Sequence, residues 1–194
     1  MRAGRATLVG MRILICLAFL CGPALAETCP PSDDISNELG VLIDKAREAK
    51  NETDGRAIAN EMWQVWLRAP NAQAQALLDR GMGMRRVADY LAALSAFNRL
   101  IDYCPDYAEG YNQRAFVHFL QGNFPAALPD LDTALSLSPN HVGAQSGRAL
   151  TLMNMGDLAA ARTQMQAALN NNPWLSERAL LAPGAPLGPE GEDI

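Results

Sequence analysis

Few side chains in this sequence could do acid–base or covalent chemistry. His118 and His141 are its two histidines, and neither stands in an H-E-x-x-H, with a paired cysteine ligand set or beside a glycine-rich phosphate loop. No serine, cysteine or acid lies in a motif that would activate a nucleophile. These residue types and spacings point away from an enzyme and assign no metal and no cofactor. Cys29 and Cys104 form an even pair beyond an apolar leader, and a disulfide is the default for such a pair in an oxidising compartment. It would close a loop of about 75 residues, worth roughly 4 kcal/mol in the chain-entropy model. Free thiols or a redox pair are the alternatives. The stretch YNQRAF raises a second question, because Arg114 sits in an otherwise packed helical run beside Tyr111, Gln113 and His118. It belongs either to a binding cluster or to the scaffold.

The elements that would position these groups begin after residue 26. Arg2, Arg5 and Arg12 precede the apolar run ILICLAFLC, and Ala24-Leu25-Ala26 supplies small residues before Glu27, the pattern of a cleaved signal peptide over 1–26. The run is too short for a permanent span of ~20 residues, so no stable membrane insertion is expected after cleavage. A signal anchor, a start at Met11 and lipidation at Cys21 are the other readings. Cleavage removes 3 of the 16 basic residues and leaves 13 against 21 acidic ones, a net charge of −8. Such a chain is a poor partner for phosphate backbones, so nucleic acid is not an expected partner.

The mature chain shows apolar residues at spacings of three and four, which predicts helices throughout and no strands. Pro105, Pro139 and Pro173 recur at intervals of 34. With the segments aligned on these prolines, Ala88, Gly122 and Gly156 share the fifteenth position, where a tight turn favours a small residue. Ala93, Ala127 and Ala161 share the twentieth, followed four residues later by Phe97, Leu131 and Met165. Leu77, Tyr111 and Gln145 open the units. Gly81, Ala115 and Ala149 hold a small position, and Met84, His118 and Leu152 an aromatic or apolar one.

This pattern resembles the tetratricopeptide (TPR) family, over residues 74 to 173. The resemblance implies an all-α α-solenoid of helical hairpins with repeats at 74–107, 108–141 and 142–175. A degenerate repeat-like helix pair within 27–73 precedes them and is expected to cap the array. A short capping helix over 176–182 follows, and 183–194, rich in proline, glycine and acid, reads as a disordered tail. Pro129 predicts an irregular start to the helix that contains it. Trp63, Trp66 and Trp174 read as anchors of the caps.

Arg80, Arg114 and Arg148 return with the structural period, which favours the scaffold reading. Asn98, Asp132 and Gln166, at the twenty-fifth position, are the expected acceptors within each hairpin, forming a structural ladder. The resemblance also places a concave groove on the first helices. Mapped here it comprises Met82, Arg85, Arg86, Asn112, Phe116, Phe119, Leu120, Leu150, Met153 and Asn154. So apolar a surface implies a protein or peptide partner, unless the N-terminal helix pair or a second subunit covers it. The carboxylate-clamping subclass of the family is not implied, because Leu78 replaces its lysine. The expected function is a non-enzymatic scaffold or adaptor in the bacterial periplasm, or a secreted one. A second reading is a structural subunit of an envelope assembly or homo-oligomer with the groove permanently buried, and a third a redox protein using Cys29 and Cys104.

Overall fold

The computed structural model describes residues 28–189, and among these the protein is all-helical. The expected signal peptide and residues 190–194 of the tail lie outside the described residues. No helix among those described is long and apolar enough to cross a membrane. The elements are α1 (Ser36–Glu48), α2 (Glu52–Trp66), α3 (Ala72–Arg86), α4 (Tyr90–Tyr103), α5 (Ala108–Leu120), α6 (Phe124–Leu137), α7 (Val142–Asn154) and α8 (Leu158–Asn171). A 3-10 helix, Ser176–Leu181, follows where a capping helix was expected.

From α3 to α8 the chain is a run of antiparallel hairpins, α3–α4, α5–α6 and α7–α8, each packed on the next. The close crossing is made by alanines: Ala93, Ala127 and Ala161 have no exposed surface, and neither have Leu100, Ala134 and Ala168 two turns further along. The turns between the helices are also equivalent. Ala88, Gly122 and Gly156 adopt φ of 60°, 70° and 87°. In each turn the following N–H, from Asp89, Asn123 or Asp157, bonds back to the carbonyl of Met84, His118 or Leu152 at 2.9–3.0 Å. This is the left-handed helix ending that glycine adopts without strain. Helix α6 runs unbroken through Pro129, and its irregularity is confined to the first turn, where the Asn123 carbonyl accepts from both Ala126 and Ala127.

The α1–α2 hairpin docks differently from the expected cap. It does not stack lengthwise before α3. It lies instead along the inter-repeat linkers and reaches the last hairpin, with α1 against α8. The reason is a row of linker residues at the same period of 34. The Tyr107 hydroxyl donates to the Trp66 carbonyl at 2.7 Å, His141 stacks on the Trp66 ring at 4.2 Å, and Leu175 packs into the α1–α2 core. At the far end Arg47 donates to the Asn170 carbonyl at 2.7 Å, and Trp174 Nε1 to that of Ala46 at 2.9 Å. The Trp174 ring occupies the space a side chain at Gly55 would need. At the near end Cys29 is joined to Cys104, at the C-cap of α4, with a Cα separation of 5.2 Å.

The tail also departs from expectation over 183–189, which are ordered against α8. Leu187 is wholly buried in the core of the last hairpin, and Arg162 donates to the carbonyls of Leu187 and Gly188 at 2.8 and 2.7 Å. Among the described residues no further hairpin packs over Leu152 and Met165. One leucine, delivered by a tight turn with Gly184 at φ 75°, covers them.

Candidate functional site

The hairpins and the docked α2 enclose a cavity of about 410 Å³ on the inner face. Met82 and Arg85 of α3 form one wall and Leu150 of α7 the opposite one. Phe116 and Phe119 of α5 project between them, and Trp63 with Leu67 closes the side nearest α2. Trp63 can approach because residue 143 is glycine, where a Cβ would lie 2.7 Å from the indole. Preformed, largely apolar cavities with a few polar groups are the usual form of a binding site.

The polar groups are held from below. Glu109 is 1% exposed at the start of α5 and accepts from Asn112 Nδ2 at 3.0 Å, from Gln113 Nε2 and from His141 Nε2 at 2.7 Å. His141 Nδ1 accepts the Ala144 N–H at 3.2 Å and so caps α7, which leaves the ring proton on Nε2, donating to the carboxylate. Packed under Trp63 and Trp66, this pair has the form of a base and its orienting acid, with side chains 0% and 1% exposed. Its effect is to fix the amides of α5. Burial also pushes the neighbouring Tyr107 hydroxyl far above its ordinary range.

Arg85 is half-buried at the cavity wall, with its guanidinium 4.6 Å above the Phe116 ring. Burial pulls its pKa down, against the attraction of Glu109. Among the described residues no carboxylate lies within ion-pair distance of it. No cluster of histidine, cysteine, aspartate or glutamate suited to hold a metal occurs among the described residues.

Of the mapped groove residues, Met82, Arg85, Asn112, Phe116, Phe119 and Leu150 line the cavity. The other four lie outside its lining. Arg86 and Leu120 are exposed, Met153 packs toward the Leu187 core, and Asn154 spends its amide on the Leu150 carbonyl at 2.8 Å.

The ladder pairs differently from expectation. Arg114 makes a two-pronged pair with Asp130, at 2.8 and 2.6 Å, and donates to Asn98 of the preceding hairpin at 2.8 Å. Arg148 likewise meets Gln164 in its own hairpin at 3.3 Å and Asp132 of the preceding one at 2.7 Å. The expected acceptors at the twenty-fifth position thus face the next hairpin, and residues two earlier face their own. Two residues turn a helix by roughly 200°, so the two acceptors lie on opposite sides. Ala96 stands at the place of Asp130 in the first hairpin, and among the described residues Arg80 and Gln166 make no side-chain hydrogen bond.

A tetratricopeptide repeat family model matches residues 118–177. The helical hairpins superimpose on the first TPR of Spaghetti (RPAP3) bound to the HSP90 peptide SRMEEVD. That match has a TM-score of 0.54 and 22% identity, over 56% of this chain and 87% of that one. The chain carries tetratricopeptide repeats. The TPR2B domain of yeast Sti1, in a complex with an Hsp70 peptide, superimposes with a TM-score of 0.52 and 24% identity, over 57% of this chain and 88% of that one. A TPR repeat-containing protein of Rhizobium etli is 30% identical over 136 residues, 69% of this chain and 65% of that protein. The tetratricopeptide repeat protein 36 homolog of Nematostella vectensis is 39% identical over 70 residues, 36% of this chain and 38% of that protein. The chain thus spans less than two thirds of the length of these two relatives.

Within this TPR array, sequence reasoning did not single out Glu109, Gln113, Trp63 or Leu67 as parts of the site. It left His141 in a linker. The available signal was positional: Tyr107, His141 and Leu175 recur at the repeat period, and Glu109 is the one acid near the start of a first helix whose neighbours are amides.

Proposed function

We propose that the protein is an exported, non-catalytic adaptor that holds a segment of a partner protein in the cavity between α2, α3, α5 and α7. The observation that carries this reading is the preformed apolar cavity with Arg85 set on Phe116 and, among the described residues, no carboxylate within ion-pair distance of it, that of the lining residue Glu177 included. The HSP90 and Hsp70 peptides named for the Spaghetti and Sti1 domains support a peptide or protein as occupant. Phe116, 43% exposed, and Phe119 are the anchors, since a few buried aromatics carry most of the affinity of such contacts. Asn154 and Arg86, outside the cavity lining, leave the register to Arg85 and Asn112. The basic, apolar and small-residue order of the leader, together with the Cys29–Cys104 bond, supports the bacterial periplasm as the compartment.

The test is crosslinking in the periplasm from a photoreactive residue at position 119, with the captured protein identified and compared with that from a Phe116→Ala variant. A single dominant partner whose yield falls at least tenfold in the variant is the expected result. Equal yields from the two proteins would refute the groove assignment.

A further inference from the structure

The groove-binding reading leaves the chemistry of the bound segment open, and two features on the inner face narrow it. The first is the orientation of Asn112. The side chain is 6% exposed, lines the cavity, and commits its Nδ2 to the buried carboxylate of Glu109. Among the described residues nothing donates to its Oδ1, which stays open to the cavity, whereas Gln113 Oε1 is sealed off without a partner. The Glu109–His141 pair thus fixes an acceptor at this point of the groove. An occupant must offer an N–H there. A carboxylate at the same point would set acceptor against acceptor, with the anion of Glu109 behind. The second feature is Arg85, a half-buried cation beside exposed Arg86 in an otherwise acidic protein.

The spacing of the two features fits one backbone. Phe116, which carries Arg85, lies four residues from Asn112 on α5, about 6 Å along the helix. Two residues of an extended chain cover roughly 6–7 Å and return to the same face. We propose that the groove takes an internal, extended segment of a partner protein, one backbone N–H donating to Asn112 Oδ1 and an Asp or Glu side chain two residues away pairing with Arg85. The single residue between them points the other way and lays an apolar side chain against Leu150 on the opposite wall. The segment is internal because Asn112 rejects a terminal carboxylate, and it is acidic because a guanidinium held against an aromatic face pairs well with a carboxylate shielded from water.

The experiment is a selection from a random heptapeptide library displayed between fixed flanks, so that no free carboxylate is present, run against the purified protein and its Arg85→Glu variant. The wild type is expected to enrich an acidic residue beside an apolar one, and the variant to lose that preference and enrich lysine or arginine in its place. The best wild-type peptide is then synthesised with each backbone nitrogen methylated in turn. Methylation two residues from the acid should weaken binding to the wild type roughly tenfold and leave binding to Asn112→Leu unchanged. Melting curves of both variants establish that they are folded. Enrichment without acid, an acidic preference surviving Arg85→Glu, or equal methylation losses in wild type and Asn112→Leu would overturn this proposal alone. No enrichment at all would overturn the groove-binding reading with it.

Discussion

Replacing Arg114, Arg148 and Arg80 by methionine, one at a time, separates what the repeat position contributes from what its partners contribute. Methionine keeps the apolar stem and removes the guanidinium. At Arg114 this leaves the Asp130 carboxylate, only 9% exposed, without its two-pronged partner and Asn98 without its donor. Removing one member of a buried pair costs about 3–5 kcal/mol, and the 23% exposure of the Arg114 side chain lets water into the vacated place, which brings the expected loss to about 2–3 kcal/mol. Arg148 faces an Asp132 that is 50% exposed, so the same change costs at most about 1 kcal/mol. Arg80 is exposed, and its loss should stay within about 0.5 kcal/mol. Urea unfolding followed by far-UV circular dichroism measures all three. In thermal melts the drop at Arg114 should be about 5–10 °C for a chain of this size. Adding Asp130→Leu to Arg114→Met should recover most of the loss, because the stranded carboxylate is what costs. Equal losses at the three positions, or a double variant no more stable than the single one, would refute this account of the ladder.

Four further outcomes are expected. The Cys29→Ser/Cys104→Ser protein should lose roughly 4 kcal/mol in denaturant unfolding, and a loss under about 1 kcal/mol would contradict the loop-closure reasoning. Ala88→Gly should gain up to about 1 kcal/mol, since φ of 60° strains an alanine by more than glycine's extra freedom costs; a lowered melting temperature would count against it. Burial lowers the pKa of His118, with Asp130 opposing and Arg114 reinforcing the shift, so the unfolded chain binds more protons and stability should decline as pH falls below about 6.5. His118→Leu, copying Leu152 at the equivalent position, should flatten that decline in melts across this range, and an unchanged slope would exclude the histidine as its source. Leu187→Ala should cost about 2–3 kcal/mol and expose the tail to proteases, and unaltered proteolysis would mean that the tail is not pinned there.

The repeating half of the molecule was readable because one short-range pattern was written three times. The alanines at the crossing and the small residues at the turns each answer to contacts within one hairpin, so the period of 34 exposes them. The ladder was half readable. Its arginines were visible as a series, but its acceptors sit two residues from the positions expected, a difference of helix face that periodicity alone does not resolve. What escaped was long-range and singular. Tyr107, His141 and Leu175 look like linker residues of three unlike types, and only the docked α2 gives them a common task. Leu187 is one apolar residue in a stretch whose composition reads as unstructured, and the uncovered end of the last hairpin orders it. Glu109 reads as a solvated acid near a helix start until His141 and two amides close over it.

The path of the α1–α2 hairpin changes what kind of polymer the array is. Stacked repeats ordinarily behave as a one-dimensional chain of neighbours that can unzip from either end. Here the first helices are bound to the last hairpin through Arg47 and Trp174, across more than 120 residues of sequence, and to the first hairpin by the disulfide. Neither end can fray without first breaking that bridge, so opening becomes all-or-none and backbone amides in the outer and middle hairpins should exchange at similar rates. The inner face is then like a bow held bent by its string, and a partner meets a curvature already set before it arrives.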